Sequence, residues 1–213
     1  MIAPGFTEQP AVAAALEALA DDQALRAVAY LDAPVGLTRD EALASRGPTG
    51  GASPFQASSE RVVLCYPRLR AGDRLVALSA ALAGATAAGD RETGYWLSPS
   101  NRPLVGFDGA EVDLSAAIGN PDSDVNALNA AGIVTLFNAY ATGLRTWGNR
   151  SSAFPADAGP LTFIAVRRTA DMVHAALEEA MLPYLDRPIT GALIDAIAEA
   201  GNGLIRELIG RGA

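Results

Sequence analysis

Arg26-Ala-Val-Ala-Tyr-Leu31 is a short apolar run closed by Asp32-Ala-Pro34, and Arg61-Val-Val-Leu-Cys-Tyr66 is a second run of the same kind. Each reads as a strand, because branched and aromatic side chains lie between turn-forming residues. The stretches around them carry a helical period. Val12, Leu16 and Leu19 fall on one face of a helix predicted from about Glu8 to Ala20, with Thr7 as its cap and Pro10 in the tolerant first turn. Thr38 and Glu41 have the spacing of a capping box for a short helix that Gly47 stops. A loop rich in Gly, Ser and Pro then runs from Gly47 to Ser59. Gly72 to Ala88 reads as an alanine-rich helix whose small side chains suit close packing on a sheet. Ile2-Ala-Pro-Gly5 reads as the end of a strand entering a turn. A strand normally needs about five residues, so the chain is expected to begin mid-element. The alternation of strand and helix from Ile2 to Ala88 implies a largely parallel sheet with helices on its faces.

The second half changes character. Tyr95-Trp-Leu-Ser-Pro-Ser100 runs from aromatic residues into a turn, and Asp122 to Asn129 predicts a short helix capped by Asp122 or Ser123. Ile133 to Phe137 and Leu144 to Trp147 read as strands able to pair, and Phe163-Ile-Ala-Val-Arg-Arg168 reads as another. Thr169 would cap a helix to Met181, ended by Pro183. From Ile189 the apolar period of Leu193, Ile194, Ile197, Leu204, Ile205, Leu208 and Ile209 predicts a last helix. Gly201 and Gly203 weaken it by roughly 1 kcal/mol each relative to alanine. Gly210-Arg-Gly-Ala213 reads as a helix stop. The expected class is α/β plus α+β: a strand-helix alternating part with a mixed sheet over 1–120, then an α+β part over 121–213.

Composition narrows the functional classes. Half of the 213 residues are apolar and 19% are charged, as in a folded domain with a real core. The formal charge is 16 − 24 = −8, and no basic stripe interrupts it. Nucleic-acid binding rests on clustered positive charge, so no nucleic acid and no anionic membrane surface is expected as a partner. All basic residues are arginine. Without lysine there is neither a Schiff-base amine nor a P-loop amine. The N-terminus shows no basic segment followed by an apolar one, and Leu75 to Gly89 is too short and mild to span a bilayer.

The residues offer little chemistry. Cys65, the single cysteine, reads as a small hydrophobe on its strand. His174, the single histidine, lies between Asp171 and Glu178 at helical spacing. A metal or acid–base pairing is conceivable there, but no second ligand cluster accompanies it, so it reads as a surface histidine among charged neighbours. Asp32 stands where α/β enzymes often hold a carboxylate, yet it reads as a turn former before Ala33-Pro34. Gly47-Pro-Thr-Gly-Gly51 could cradle an anion but fits neither phosphate-loop pattern. No catalytic, cofactor-binding or metal residue is therefore assigned, and no cofactor is expected. Arg145, Trp147, Asn149 and Arg150 crowd together, with Arg167-Arg168 further on. They could form a buried polar network or interface, or an ordinary core tryptophan with solvated arginines.

Gly143-Leu-Arg-Thr-Trp-Gly-Asn-Arg-Ser151 resembles the G-x-R-x-W-G-x-R-T segment of contractile tail sheath proteins of phages and R-type pyocins, with Ser151 in place of the usual threonine. Tyr95-Trp-Leu-Ser-Pro-Ser-Asn-Arg102, Leu128-Asn-Ala-Ala-Gly-Ile133 and Phe163-Ile-Ala-Val-Arg-Arg168 resemble further segments of that family, in order, and Ile2-Ala-Pro-Gly-Phe6 resembles the opening of its α/β portion. The resemblance implies a structural, non-enzymatic subunit of a virion tail, prophage or bacteriocin particle, assembled in the bacterial cytoplasm. Such subunits polymerise around an inner tube and contract to drive it through a target envelope. It implies neighbouring sheath subunits joined through terminal arms, the tube, the baseplate and the tail terminator as partners. Those arms are expected to lie outside this chain, leaving a monomeric body that could meet the tube through its last helix at Arg206 and Glu207. The rival readings are a doubly wound α/β hydrolase or nucleotide-binding domain, with carboxylates converging around Asp32, and a type VI secretion sheath component.

Overall fold

A computed structural model of the chain describes residues 1–22, 24, 26–46, 54–117, 119–138 and 143–212. In chain order the elements are α1 (Pro10–Asp21), β1 (Ala29–Asp32), α2 (Arg39–Arg46), β2 (Val62–Cys65), β3 (Leu69–Ala71), β4 (Arg74–Val76), α3 (Leu78–Glu92), β5 (Gly109–Ala110), α4 (Asp124–Ala130), β6 (Ile133–Phe137), β7 (Arg145–Trp147), α5 (Ile164–Met181) and α6 (Gly191–Gly210). The architecture is mixed α/β, with two sheets.

The main sheet has the order β1-β2-β6-β7. β1, β2 and β6 run parallel, and β7 closes the sheet antiparallel to β6 with Thr135 opposite Trp147. Ile2 adds one parallel bridge outside β1, opposite Tyr30. Every residue of β1 and β2 is buried, as expected for parallel strands covered on both faces. The strand period then sorts side chains into two cores. Ala29, Leu31, Val62, Leu64 and Ile133 meet Ala13 and Ala20 of α1, Ala42 of α2 and Leu128 of α4. Tyr30, Val63, Cys65, Val134 and Leu136 face the other way, toward Leu78 and Leu82 of α3, Leu69 of β3, Leu104 and Ile164. A small antiparallel sheet, β4-β3-β5, flanks this arrangement in sequence.

Several expectations need correction. Thr7 does not cap α1, whose N-cap position is Gln9; instead the Thr7 hydroxyl accepts from Asp32 N at 3.1 Å, on the edge of β1. The first strand starts at Ala29 because Arg26 has φ of 45°, a left-handed conformation no strand tolerates. Gly72 opens no helix. With φ of 57° it turns the β3–β4 hairpin, and α3 begins only at Leu78. Phe163–Arg168 is not a strand: Phe163 makes one bridge to Arg150, and α5 starts at Ile164, so Thr169 lies inside the helix. An apolar run of this length cannot be told from a helix segment by period alone. The capping box is present, with Thr38 N donating to Glu41 Oε2 at 2.8 Å and Glu41 N to Thr38 Oγ1 at 3.3 Å. The helix stop at Gly47 and most of the following loop lie outside the described residues.

The chain divides into two compact units, Met1–Arg167 and Arg168–Ala213. Residue 120 lies inside the first unit, where β6 and β7 complete the sheet begun by β1 and β2. In the second unit Thr190 caps α6, accepting from Leu193 N at 3.2 Å, and α6 runs unbroken through Gly201 and Gly203. Gly201 faces Leu177 of α5; a Cβ there would sit 3.6 Å from its Cδ2, an ordinary contact.

Candidate functional site: a junction of four segments

The segment leaving β7 organises the first unit. Thr146 is fully buried and pairs with the 98–102 stretch through both its N–H and its C=O. Asn101 N donates to Thr146 O at 2.7 Å, Thr146 N to Arg102 O at 2.9 Å, and the Thr146 hydroxyl to Pro99 O at 2.6 Å. Arg145 donates from Nε to Asn101 Oδ1 at 2.7 Å and from Nη2 to Asn101 O at 3.0 Å. Gly148 N donates to Ser100 Oγ at 3.0 Å. Trp147 meets Phe137 edge-on, with ring centroids 4.5 Å apart.

Two glycines let backbones approach where a side chain would collide. At Gly148 (φ 129°) a Cβ would fall 2.4 Å from Asn129 Oδ1, and at Gly132 (φ 75°) 2.3 Å from Phe154 O. The Leu128–Ile133 segment is thereby pressed against the Gly143–Ser151 segment. Asn149 ties in the start of α5: its carbonyl accepts from Ile164 N at 3.1 Å and its Oδ1 from Ala165 N at 3.2 Å, satisfying two of the unpaired amides every helix start presents. The Arg150 guanidinium stacks 3.5 Å from the Phe163 ring centroid and 4.5 Å from that of Phe154, and it donates to Thr162 Oγ1 at 2.6 Å. Ser151 N and Ser152 N donate to Thr162 O and Val62 O, both at 2.7 Å. Arg145 and Arg150 are half-buried and both hydrogen-bond to other segments, so they are neither a fully buried network nor freely solvated arginines. Arg167 instead pairs with Glu60 at 3.2 Å. Asn101 and Asn129 lie in the motif segments, but their contacts, like that of Thr162, are not legible in the sequence because the partners lie on other segments.

Asp32 is not a turn former. It is 1% exposed at the end of β1, and its carboxylate accepts from Ser79 N at 2.8 Å and Ser79 Oγ at 2.5 Å, at the start of α3. The helix N-terminus that open α/β sheets often offer to an anion is therefore taken by the chain's own carboxylate. Burial pushes the Asp32 carboxyl up from the ordinary range, against the opposing pull of the Ser79 bonds. Cys65 is buried in β2, and burial pushes its thiol well above the ordinary range. His174, Asp171 and Glu178 lie on α5, and no group of three metal-ligating side chains exists among the described residues. No helix among them is long and apolar enough to cross a membrane. The Gly47–Gly51 loop lies outside the described residues. An open depression of about 370 Å³ is lined by Asp21, Ser58, Ser59, Glu60, Arg61 and Arg167, and Asp32 does not border it.

Residues 1–152 match the family model described as the phage tail sheath protein central domain, and the chain belongs to that family. It is 46% identical over 219 residues to the tail sheath protein of Burkholderia phage BcepMu, a match covering 100% of this chain and 45% of that protein. It is 32% identical to a putative prophage major tail sheath protein of Pseudomonas aeruginosa, covering 100% of this chain and 53% of that one. The chain thus spans about half the length of the curated relatives it matches. Its fold is similar to a chain of the anti-feeding prophage baseplate (TM-score 0.76, 23% identity, 100% of this chain and 54% of that one). It is also similar to a chain of the contracted anti-feeding prophage sheath (TM-score 0.72, 24% identity, 96% and 52%).

Proposed function

We propose that this chain is the body of a contractile tail sheath subunit, a structural protein of a phage tail or related injection particle. The observation that carries the reading is the family match over residues 1–152, together with 46% identity to a phage tail sheath protein. In this reading subunits polymerise around an inner tube and contract to drive it through a target envelope. The energy resides in subunit packing, so neither cofactor nor catalytic site takes part. Terminal arms in the part of the relatives beyond the matched stretch join neighbouring subunits, and strand addition supplies main-chain hydrogen bonds between them. Tube, baseplate and tail terminator are the further partners, and assembly takes place in the bacterial cytoplasm. The last helix, α6, meets the tube through Arg206 and Glu207, both on exposed surface.

The test is an exchange. The BcepMu sheath protein carrying this chain in place of its matched stretch is expected to form tubes under the electron microscope, whereas this chain alone is expected to run as a monomer in light scattering. Reversing both charges at 206 and 207 in the exchanged protein is expected to release the inner tube. A folded exchange protein that stays monomeric overturns the sheath reading, and tubes formed by the chain alone overturn the role given to the arms.

A further inference from the structure

Arg46, the last residue of α2, has partners of an unusual kind. Its Nε donates to Ala131 O at 3.0 Å, its Nη1 to Ala57 O at 3.0 Å, and its Nη2 to Phe154 O at 3.1 Å and to Ser152 O. All four acceptors are backbone carbonyls, from three chain segments that are remote in sequence. Ala131 is the C-cap of α4, whose last carbonyls lack helical partners. Phe154 O is the same atom against which Gly132 is pressed. Burial lowers the Arg46 pKa. The guanidinium fork explains the choice of residue: planar donors in fixed directions reach several acceptors at once, whereas an ammonium is a point charge on a flexible stem.

We infer that Arg46 is a positioning residue, a guanidinium clamp that holds the Ala131–Gly132 turn, the Ser152–Phe154 turn and Ala57 in one rigid arrangement. The Ser152–Phe154 turn continues directly from Asn149 and Arg150, which set the start of α5. The clamp therefore acts next to the contacts that fix the first turn of α5 within the first unit. The inference concerns this chain's own fold and stands whether or not the sheath reading does.

Native-state amide exchange of the full chain tests it. In Arg46→Gln, exchange at Gly132, Phe154 and Ser152, whose amides bond Asn129 O, Ser151 O and Val62 O, is expected to rise at least tenfold. Tyr30 and Leu31 in β1 are expected to change less than twofold. Arg46→Lys keeps the charge and loses the fork, so it is expected to behave like Arg46→Gln. Should Arg46→Gln fail to fold, Arg46→Lys decides alone. Wild-type exchange at the three amides in Arg46→Lys overturns the clamp, because charge alone would then suffice. A uniform rise that includes β1 also overturns it, because the residue would then contribute only global stability.

Discussion

Gly132 and Asp32 show how single residues set the junction. Gly132 combines a positive φ with a carbonyl 2.3 Å from where a Cβ would stand, and backbone cannot yield as a flexible side chain would. Gly132→Ala is therefore expected to lower stability by about 2–3 kcal/mol, read as a lower urea midpoint at unchanged m-value. Asp32 carries a raised carboxyl pKa in the fold, so between its unfolded and folded values the native state holds more of the proton. Its contribution to stability falls as pH rises through that window and is regained on acidification. Asp32→Asn has no proton to exchange. The stability of the wild type relative to Asp32→Asn is expected to improve from pH 7 to pH 4 in paired urea titrations, and an unchanged difference would contradict the assignment. Cys65 behaves as its apolar run implied, because a strand buried on both faces leaves a thiol no route to solvent.

At the scale of elements, local signals worked where the partners are local. The Thr38–Glu41 box spans four residues, and strands β2 and β6 announced themselves as branched apolar runs. The start of α5 did not, because its capping group, Asn149, lies 16 residues away in another motif. In α6 the Thr190 cap is local, and Gly203 has open space around a would-be Cβ. Thr190→Ala is expected to cost about 1 kcal/mol and Gly203→Ala to gain roughly 0.5–1 kcal/mol, both measured as shifts in thermal midpoint. Opposite signs from one helix would show that its stability is set by its own turns.

At the scale of the molecule, the motif segments matter because they touch. Ser98–Arg102, Leu128–Ile133 and Gly143–Ser151 meet around β6 and β7, and Phe163 completes the group through Arg150. Spread along the sequence they look like separate signatures; folded, they make one junction of close backbones and cross-segment hydrogen bonds.

What the sequence determined by itself was the mixed α/β class, most helix positions in the second half and the family. All of these follow from periodicity, local caps or motif identity, which are properties of neighbouring residues. Only the tertiary structure decided that Phe163–Arg168 starts a helix, that Asp32 caps α3 rather than a turn, and that Arg46 binds four carbonyls. Each depends on a partner far along the chain. Hydrogen-bond satisfaction in a buried site is a property of the assembled neighbourhood, and no short window of sequence contains it.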